Sequence, residues 1–345
     1  MSAEAAGRLQ VLAPATLLAF FVSIALIVLI RPWLLRHAIA RPNARSSHHT
    51  PVAQGGGIAV VLATLALTWA AIILWPDPSP GQTESFLIVT AAAIALTILG
   101  ALDDMHSLPA TVRLIAQCVA VGAVVIALPN DMQVLPQLPW WMDRACLLIA
   151  WVWFVNVTNF MDGIDWMTVA EVVPVTGAMI LLGILGTVDF TEAMIAATLC
   201  GAMLGFGPFN KPVARLFLGD AGSLPIGLLV GWLLMGLAVE GHRAAAIVLP
   251  LYYLADATIT LLRRLMRREP FWQSHRTHFY QRATDNGFTV REIVARVFLA
   301  NVALAALALI SALASHVVVS LLTLCAAAVV VAALLTSFSR VKRKQ

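Results

Sequence analysis

The sequence has little charge for its length. Only 12% of its 345 residues are Asp, Glu, Lys or Arg, whereas 60% are hydrophobic. An ordinary soluble domain is about a quarter charged, and a single core could not bury so large an apolar surplus. This composition argues against an intrinsically disordered chain and against a nucleic-acid-binding domain. It predicts an integral membrane protein.

Cysteines are few, and several common catalytic motifs are missing. The four cysteines, Cys118, Cys146, Cys200 and Cys325, all lie in apolar runs, which predicts packing and not a disulfide scaffold. The sequence has no Gly-rich P-loop ending in Lys-Ser/Thr, no His-Glu-x-x-His and no Gly-x-Ser-x-Gly. These absences remove the common ATPase, metalloprotease and serine-hydrolase interpretations.

Eleven apolar runs approach the length of a membrane-crossing helix, about 17–25 residues. They lie near residues 12–30, 57–75, 86–102, 111–128, 144–159, 167–186, 192–208, 222–239, 243–262, 291–313 and 316–338. The first is long for a secretory signal and no small-residue cleavage site follows it, so we expect it to be retained. We predict an all-α polytopic membrane protein in which residues 1–345 form one domain.

The distribution of basic residues predicts the orientation. If the spans alternate in direction, 19 of the 22 Lys and Arg residues fall on one side, and only Arg8, Arg144 and Arg243 fall on the other. Basic residues collect on the cytoplasmic side of membrane proteins. The N-terminus is therefore predicted outside and the C-terminus in the cytoplasm.

Two adjacent carboxylates, Asp103 and Asp104, close the third span on the predicted cytoplasmic side. The negative end of the helix dipole and their mutual repulsion make this placement unfavourable without a cation. A divalent metal or Arg113, at the start of the next span, could supply it. The alternative is a solvated loop that happens to carry two acids.

A second polar segment follows the fifth span. Asn156, Asn159 and Asp162 recur every three residues, which puts their side chains on nearly one face of a helix end. Gly163 would then permit a turn that aims Asp165 back towards them. Such oxygen-bearing side chains suit Mg²⁺ or a polar ligand such as a nucleobase. An ordinary Asn/Asp-rich turn is the alternative.

Glycines mark two further cytoplasmic segments. Residues 219–223 read Gly-Asp-Ala-Gly-Ser, and the free amides of a helix starting at Asp220 would favour phosphate. The same pattern also occurs in ordinary turns. Glycines 55–57 open the second span, either for close approach of a ligand or for close helix packing.

The loop 263–290 contains His275, Arg276 and His278. A structural zinc site would need four ligands such as Cys and His, and the cysteines lie in the apolar runs. An anion site for phosphate or sugar fits this loop better. A loop that is merely basic on the cytoplasmic side is the alternative.

Together these segments resemble the polyprenyl-phosphate N-acetylhexosamine-1-phosphate transferases, glycosyltransferase family 4. Five motifs occur in the family order between Arg41 and Arg282, and the His-Arg-x-His form resembles the glycan-initiating, O-antigen-type branch. The resemblance implies transfer of a sugar-1-phosphate from a UDP-N-acetylhexosamine to undecaprenyl or another polyprenyl phosphate, with release of UMP. It also implies Mg²⁺, or Mn²⁺ in its place, and an active site of cytoplasmic loops at the bacterial inner membrane.

The resemblance also implies roles for individual residues. The catalytic candidates are Asp103, Asp104, Asp162, His275, Arg276 and His278; the substrate-binding candidates are Arg113, Asn156, Asn159, Asp165 and Phe217, the last by stacking on uracil; the metal candidates are Asp220 and Asn159. One departure is Trp166, which stands where the family has glycine and leaves the local backbone geometry open.

Two other classes of protein were weighed. A proton-coupled secondary transporter would carry acids near the middle of the membrane, yet only Asp256 lies well inside the cytoplasmic half of a helix, and the other acids sit at helix ends. A structural scaffold would leave the acidic segments unexplained. The sequence leaves open which sugar is transferred, which polysaccharide is made, whether a covalent intermediate forms, and whether the chain is a homodimer.

Overall fold

The computed structural model describes residues 3–40, 51–74, 80–130, 132–269 and 276–342. These residues form thirteen helices and one pair of two-residue strands. The helices are α1 (Ala3–His37), α2 (Gly57–Leu74), α3 (Pro80–His106), α4 (Ala110–Ala127), α5 (Trp140–Met161), α6 (Met167–Ile184), α7 (Phe190–Asn210), α8 (Asp220–Val239), α9 (Arg243–Val248), α10 (Leu251–Met266), α11 (Phe279–Asp285), α12 (Val290–Ala314) and α13 (Val317–Phe338), and the strands are β1 (Ile39–Ala40) and β2 (Val52–Ala53).

Ten of the described helices, all but α9, α10 and α11, are long and apolar enough to cross a membrane. The prediction of an all-α polytopic membrane protein is confirmed. The predicted span near 243–262 is interrupted, because α9 ends at Val248 and α10 begins at Leu251. Pro250 lies between them, and proline has no amide hydrogen with which to continue a helix. The sides on which the termini lie stay a prediction.

The local sequence sets where several helices begin. Pro109, Pro139 and Pro250 immediately precede α4, α5 and α10. Proline suits this place because it has no amide hydrogen, and the first amides of a helix have no partner within the helix. At the start of α12, Thr289 Oγ1 accepts a hydrogen bond from the amide of Glu292, and the Glu292 carboxylate accepts one from the amide of Thr289. This reciprocal capping begins α12 at Val290.

Helices α7 and α8 lie at the centre of the bundle. In their most apolar stretches 89% and 94% of the residues are buried, against 17% in α1 and 22% in α13. Helix α8 packs against α3 and α5, while α7 packs against α1, α2 and α6. The C-terminal ends of α3 and α5 consequently lie beside the N-terminal end of α8.

A small hairpin was not predicted. Strands β1 and β2 pair antiparallel with Ile39 opposite Ala53, and Ala53 also forms a parallel bridge to Leu216. The hairpin therefore joins the end of α1 to the segment that precedes α8. Residues 41–50, which include the predicted basic positions between the strands, lie outside the described residues.

The four cysteines, for which packing was predicted, differ in where they lie. All four are free thiols, and Cys200 is buried, but Cys118, Cys146 and Cys325 are exposed on the outer surface of the bundle. That surface is apolar and faces lipid in a membrane, so an apolar run does not distinguish an interior cysteine from a lipid-facing one.

Candidate active site

The first acid of the pair at the end of α3 is held by a cation. Arg113 Nη1 donates to Asp103 Oδ2 at 2.6 Å, and the amide of Leu108 donates to Asp103 Oδ1 at 2.5 Å. Asp103 is 9% exposed. The predicted compensation of this carboxylate by Arg113 is therefore confirmed.

The second acid caps another helix. The Asp104 carboxylate accepts hydrogen bonds from the amides of the first two residues of α8, Asp220 at 3.0 Å and Ala221 at 3.2 Å. The next two amides of α8 donate to the carbonyl oxygen of Gly219. The first four amides of α8 thus all have partners within the described chain, and phosphate binding there stays a prediction.

The side chain of Asp220 lies at the meeting point of three helix ends. Asn159 Nδ2 donates to Asp220 Oδ1 at 2.7 Å and to Ser223 Oγ at 2.9 Å. Arg113 Nη1 lies 3.5 Å from Asp220 Oδ2 while it also binds Asp103. Residues that are far apart in the sequence therefore form one polar cluster, which we call the acidic site and define as Asp103, Asp104, Arg113, Asn159, Asp162 and Asp220.

Asp162 directly follows α5 and joins the acidic site through charge. Desolvation of its carboxyl group raises the pKa of Asp162 to about 7; the hydrogen bond from Thr168 Oγ1 opposes this, and the negative charges of Asp104 and Asp165 add to it. Asp165 is 5% exposed and accepts a hydrogen bond from the amide of Ala214 at 3.0 Å.

Asn156 lies one helical turn before Asn159 and has different partners. Its Nδ2 donates to Gln117 Oε1 at 2.6 Å and to the carbonyl oxygen of Val152 at 2.8 Å. These bonds join α5 to α4 beside the acidic site. The predicted role of Asn156 in binding substrate stays a prediction.

Phe217 is anchored through its backbone. Its amide donates to the carbonyl oxygen of Ala53 at 2.8 Å, and its own carbonyl oxygen accepts from the amide of Gly56 at 2.9 Å. The adjacent Gly57 has no room for a side chain, because a Cβ there would lie 2.0 Å from Gly222 Cα. The structure therefore favours the helix-packing interpretation of these glycines. Stacking of Phe217 on uracil stays a prediction.

The histidine loop is anchored by an acid that the sequence analysis did not select. His275 lies outside the described residues. Arg276 is half-buried, and its guanidinium makes no hydrogen bond or ion pair with any described residue. His278 is 4% exposed, with Nδ1 3.3 Å from Asp256 Oδ1. Asp256 of α10 thus holds the loop in place.

Asp256 is fully buried and caps α11 from a different helix. Its Oδ1 accepts from the amide of Phe279 at 2.9 Å, and its Oδ2 accepts from the amide of Tyr280 at 3.2 Å. The hydroxyls of Tyr252 and Thr260 donate to it as well. The one signal in the sequence was an acid inside an apolar span, which was interpreted only in relation to a transporter.

Tyr280 docks α11 onto the end of α5. Its hydroxyl donates to the carbonyl oxygen of Phe160 at 3.0 Å. A Cβ on Gly163 would lie 2.1 Å from that hydroxyl, so this position requires glycine for close approach. Gly163 therefore serves the close approach of Tyr280, a role that the sequence did not predict. The histidine loop and the acidic site meet at this helix end.

The turn itself is made by Trp166, the residue that departs from the family pattern. Its φ is 65°, a left-handed conformation that glycine adopts without strain. The amide of Trp166 donates to Asn210 Oδ1 at 2.7 Å, and its indole Nε1 donates to the carbonyl oxygen of Gly207 at 2.6 Å. These two bonds offset the cost of the left-handed conformation, which is about 1–2 kcal/mol. The turn is thus formed with tryptophan in place of glycine.

The donor chemistry of the acidic site fits a hard cation. Within the described ranges, no group of three or more His, Cys, Asp or Glu side chains is arranged to hold a metal ion. Mg²⁺ in proteins is often bound by one or two carboxylates, with waters and substrate phosphates completing its shell. Asn159 orients the Asp220 carboxylate, and the guanidinium of Arg113 lies beside it. This carboxylate could supply the one or two protein ligands that Mg²⁺ usually takes.

Residues 86–238 match glycosyl transferase family 4. The matched segment runs from within α3 to the end of α8 and contains the whole of the acidic site. This match confirms the resemblance to the family that the motifs predicted, in a membrane protein built of helices.

Curated relatives cover most of the chain. One is named "Probable undecaprenyl-phosphate N-acetylglucosaminyl 1-phosphate transferase" of Bacillus subtilis (strain 168), 27% identical over 81% of this chain and 80% of its own length. A decaprenyl-phosphate N-acetylglucosaminephosphotransferase of Mycobacterium leprae (strain TN) is 25% identical over 76% of this chain and 74% of its own length. A phospho-N-acetylmuramoyl-pentapeptide-transferase of Mycobacterium ulcerans (strain Agy99) is 27% identical over 74% of this chain and 87% of its own length. Relatives with different substrates thus match at similar identity, and the predicted O-antigen-type branch stays a prediction.

Proposed function

We propose that this protein transfers a sugar-1-phosphate of the N-acetylhexosamine type from a UDP-sugar to a polyprenyl phosphate in the membrane, with release of UMP. The observation that carries the proposal is the convergence of Asp103, Asn159 and Asp220 around Arg113 at the ends of membrane-crossing helices. The names of the relatives, which specify polyprenyl phosphates and amino-sugar phosphates, support the same class of reaction.

The position of the acidic site suits the proposed acceptor. A phosphate anchored in lipid can react only near the membrane surface, and the site lies where α3, α4, α5 and α8 end or begin. Phosphoryl transfer depends on positioning and on neutralising negative charge. Arg113 could supply part of that charge in the acidic site, and Arg276 and His278 could supply more from the docked histidine loop.

In this proposal Asp220 and Asn159 hold Mg²⁺, with Mn²⁺ as its chemical substitute. When bound, such a metal neutralises the negative charge of phosphate groups. The chain's own contribution is to fix the carboxylate: Asn159 donates to one oxygen of Asp220, and Asp104 holds the backbone amide of the same residue. The Asp220 carboxylate is thereby held in place before the metal binds, so binding does not carry the entropy cost of ordering this side chain.

Asp162 is the candidate proton acceptor. A phosphate monoester loses its second proton near pH 6, and a carboxylate whose pKa is about 7 can accept it at neutral pH. Asp103 is less suited to this role because both of its carboxylate oxygens already accept hydrogen bonds, from Arg113 and from the amide of Leu108. We assign Asp103 to holding Arg113 and Asp162 to the proton.

The proposal puts the site on the cytoplasmic face of a bacterial inner membrane. This orientation follows from the 19 of 22 basic residues on one side when the spans alternate. There the reaction would be the initiating step of O-antigen or another cell-envelope polysaccharide. A fluorescent protein that folds only in the cytoplasm, fused to the C-terminus, tests the orientation; a dark fusion that is present in the membrane would contradict it.

The reaction is tested with the purified full-length chain, undecaprenyl phosphate, Mg²⁺ and a panel of UDP-N-acetylhexosamines, scored for release of UMP. We expect release with at least one donor and none after chelation of the metal. Asp220→Asn should abolish release because an amide is a poorer Mg²⁺ ligand than a carboxylate. Asp285→Asn, which neutralises an exposed acid outside the acidic site, is the matched control. No UMP from any donor would reject the proposal.

A further inference from the structure

A groove between α12 and α13 lies apart from the acidic site. It is open, has a volume of about 620 Å³, and has an apolar floor formed in part by Val329, Ala332 and Ala333 of α13. Val329 is 68% exposed, so the floor is not covered by other parts of the described chain. The alanines leave room along α13 for an extended apolar group.

Three basic residues line the same groove. Arg296 lies 4.8 Å above the centre of the Phe288 ring, and its Nη1 donates to Ser337 Oγ at 2.8 Å. The Lys342 ammonium group is paired with Glu292 Oε1 at 2.6 Å. The side chain of Arg340 makes no ion pair or hydrogen bond with the described part of the chain. Two guanidinium charges therefore remain without a carboxylate partner.

The groove lies at the end of the bundle that carries the acidic site. Arg291, in the first turn of α12, donates to the carbonyl oxygen of Pro212, close to the point where Asp165 binds the same segment. Asn286 donates to the carbonyl oxygen of Phe338 at the end of α13. Basic side chains therefore lie at one end of the groove, where membrane helices end and lipid headgroups begin.

We propose that this groove binds an anionic phospholipid of the surrounding membrane, with its phosphate at Arg296 and Arg340 and an acyl chain along Ala332 and Ala333. Guanidinium groups bind phosphate oxygens through two parallel hydrogen bonds, and basic pockets between membrane helices suit anionic headgroups. A second copy of the chain fits less well, because a two-fold contact would bring these cations against their counterparts.

The test titrates the delipidated full chain with phosphatidylglycerol and, separately, with phosphatidylcholine of the same acyl chains. Native mass spectrometry counts the lipids bound, and thermal unfolding checks the fold. We expect phosphatidylglycerol to be retained in preference. Arg296→Gln and Arg340→Gln should each weaken its binding about fivefold. Arg36→Gln, an exposed arginine at the end of α1, is the matched control and should change nothing.

A second variant tests the apolar floor without changing charge. Ala333 is exposed, so Ala333→Phe should fill the groove without disturbing the core and should weaken retention of phosphatidylglycerol. Equal losses in Arg36→Gln and Arg340→Gln would overturn the proposal in favour of a diffuse basic surface. Full competition by inorganic phosphate, with no effect of Ala333→Phe, would indicate a site for free anions. A dimer that Ala333→Phe dissociates, with lipid binding unchanged, would assign the groove to a second copy.

Discussion

Asp256→Asn should impair the reaction without unfolding the protein. Asp256 is fully buried and uses both carboxylate oxygens to hold the amides of Phe279 and Tyr280, the first two residues of α11. It also contacts Nδ1 of His278. Asparagine has nearly the same shape, so the packing around it is kept, but it offers only one oxygen acceptor.

The magnitude follows from the lost acceptor. In Asp256→Asn one of the two amides, that of Phe279 or Tyr280, faces an NH₂ group and has no partner. A buried donor left without a partner costs about 1–3 kcal/mol. That cost lowers the ratio of docked to undocked α11 by about fivefold to hundredfold, since 1.4 kcal/mol is a factor of ten. Because Arg276 and His278 move with α11, turnover should fall with the docked fraction, at most by that factor, which is reached when undocked α11 is the major form.

The assay is release of UMP, with kcat and KM measured for each substrate. We expect a lower kcat and a higher KM for the UDP-sugar, with the KM for the lipid acceptor unchanged. Glu171→Gln is the matched control, because Glu171 is another buried acid but accepts a hydrogen bond from Asn301 of α12 and none from the histidine loop as described. A lowered unfolding temperature with unchanged kinetics would refute the reasoning and leave Asp256 a purely structural role.

Three further predictions concern the site itself. Phe217→Ala should weaken UDP-sugar binding in a calorimetric titration and leave lipid binding unchanged; an unchanged UDP-sugar affinity would assign the ring to packing. Arg276→Lys should impair turnover although the charge is kept, because lysine lacks the planar donor fork, whereas Arg267→Gln should leave turnover nearly intact; equal, mild losses would indicate a diffuse basic surface. Since the pKa of Asp162 is about 7, kcat/KM should rise as pH increases through that value and its carboxylate forms. Asp162→Asn should abolish this rise of kcat/KM with pH. A wild-type pH profile that is flat between about pH 6 and 8 would contradict the assignment of Asp162 as proton acceptor.

The helices were predictable because the membrane imposes a simple requirement on the sequence. A crossing helix must satisfy its backbone internally and present apolar side chains, so runs such as 57–75 and 167–186 correspond closely to Gly57–Leu74 and Met167–Ile184. Proline explains the exception, the break between α9 and α10, which hydropathy alone does not detect. Acids at helix ends were predictable for a related reason, since a charge is costly inside an apolar run; Asp256 and Glu171, buried within α10 and α6, are exceptions.

Contacts between distant parts of the chain were not predictable in the same way. Asp104 and Asp220 are 116 residues apart, and nothing in either segment indicates that one carboxylate caps the other's helix. Gly163 was expected to permit the turn, but the residue with the left-handed backbone is Trp166, whose amide donates to Asn210. The hydrogen bonds that decide such cases come from residues brought together only by packing.

Two carboxylate caps account for part of the acidic composition at one end of this membrane protein. Asp104 holds the start of α8 and Asp256 holds the start of α11, each from a different helix. A carboxylate is effective in this position because it meets the positive end of the helix dipole. Asp103 is held by Arg113, and Asp165 binds the amide of Ala214. Asp220 and Asp162 are therefore the acids that remain to face a metal and a substrate. The acids at this end therefore have two roles, capping of helix starts and binding of a metal and a substrate. The hydrogen bonds in the structure, and not the sequence, distinguish which acid has which role.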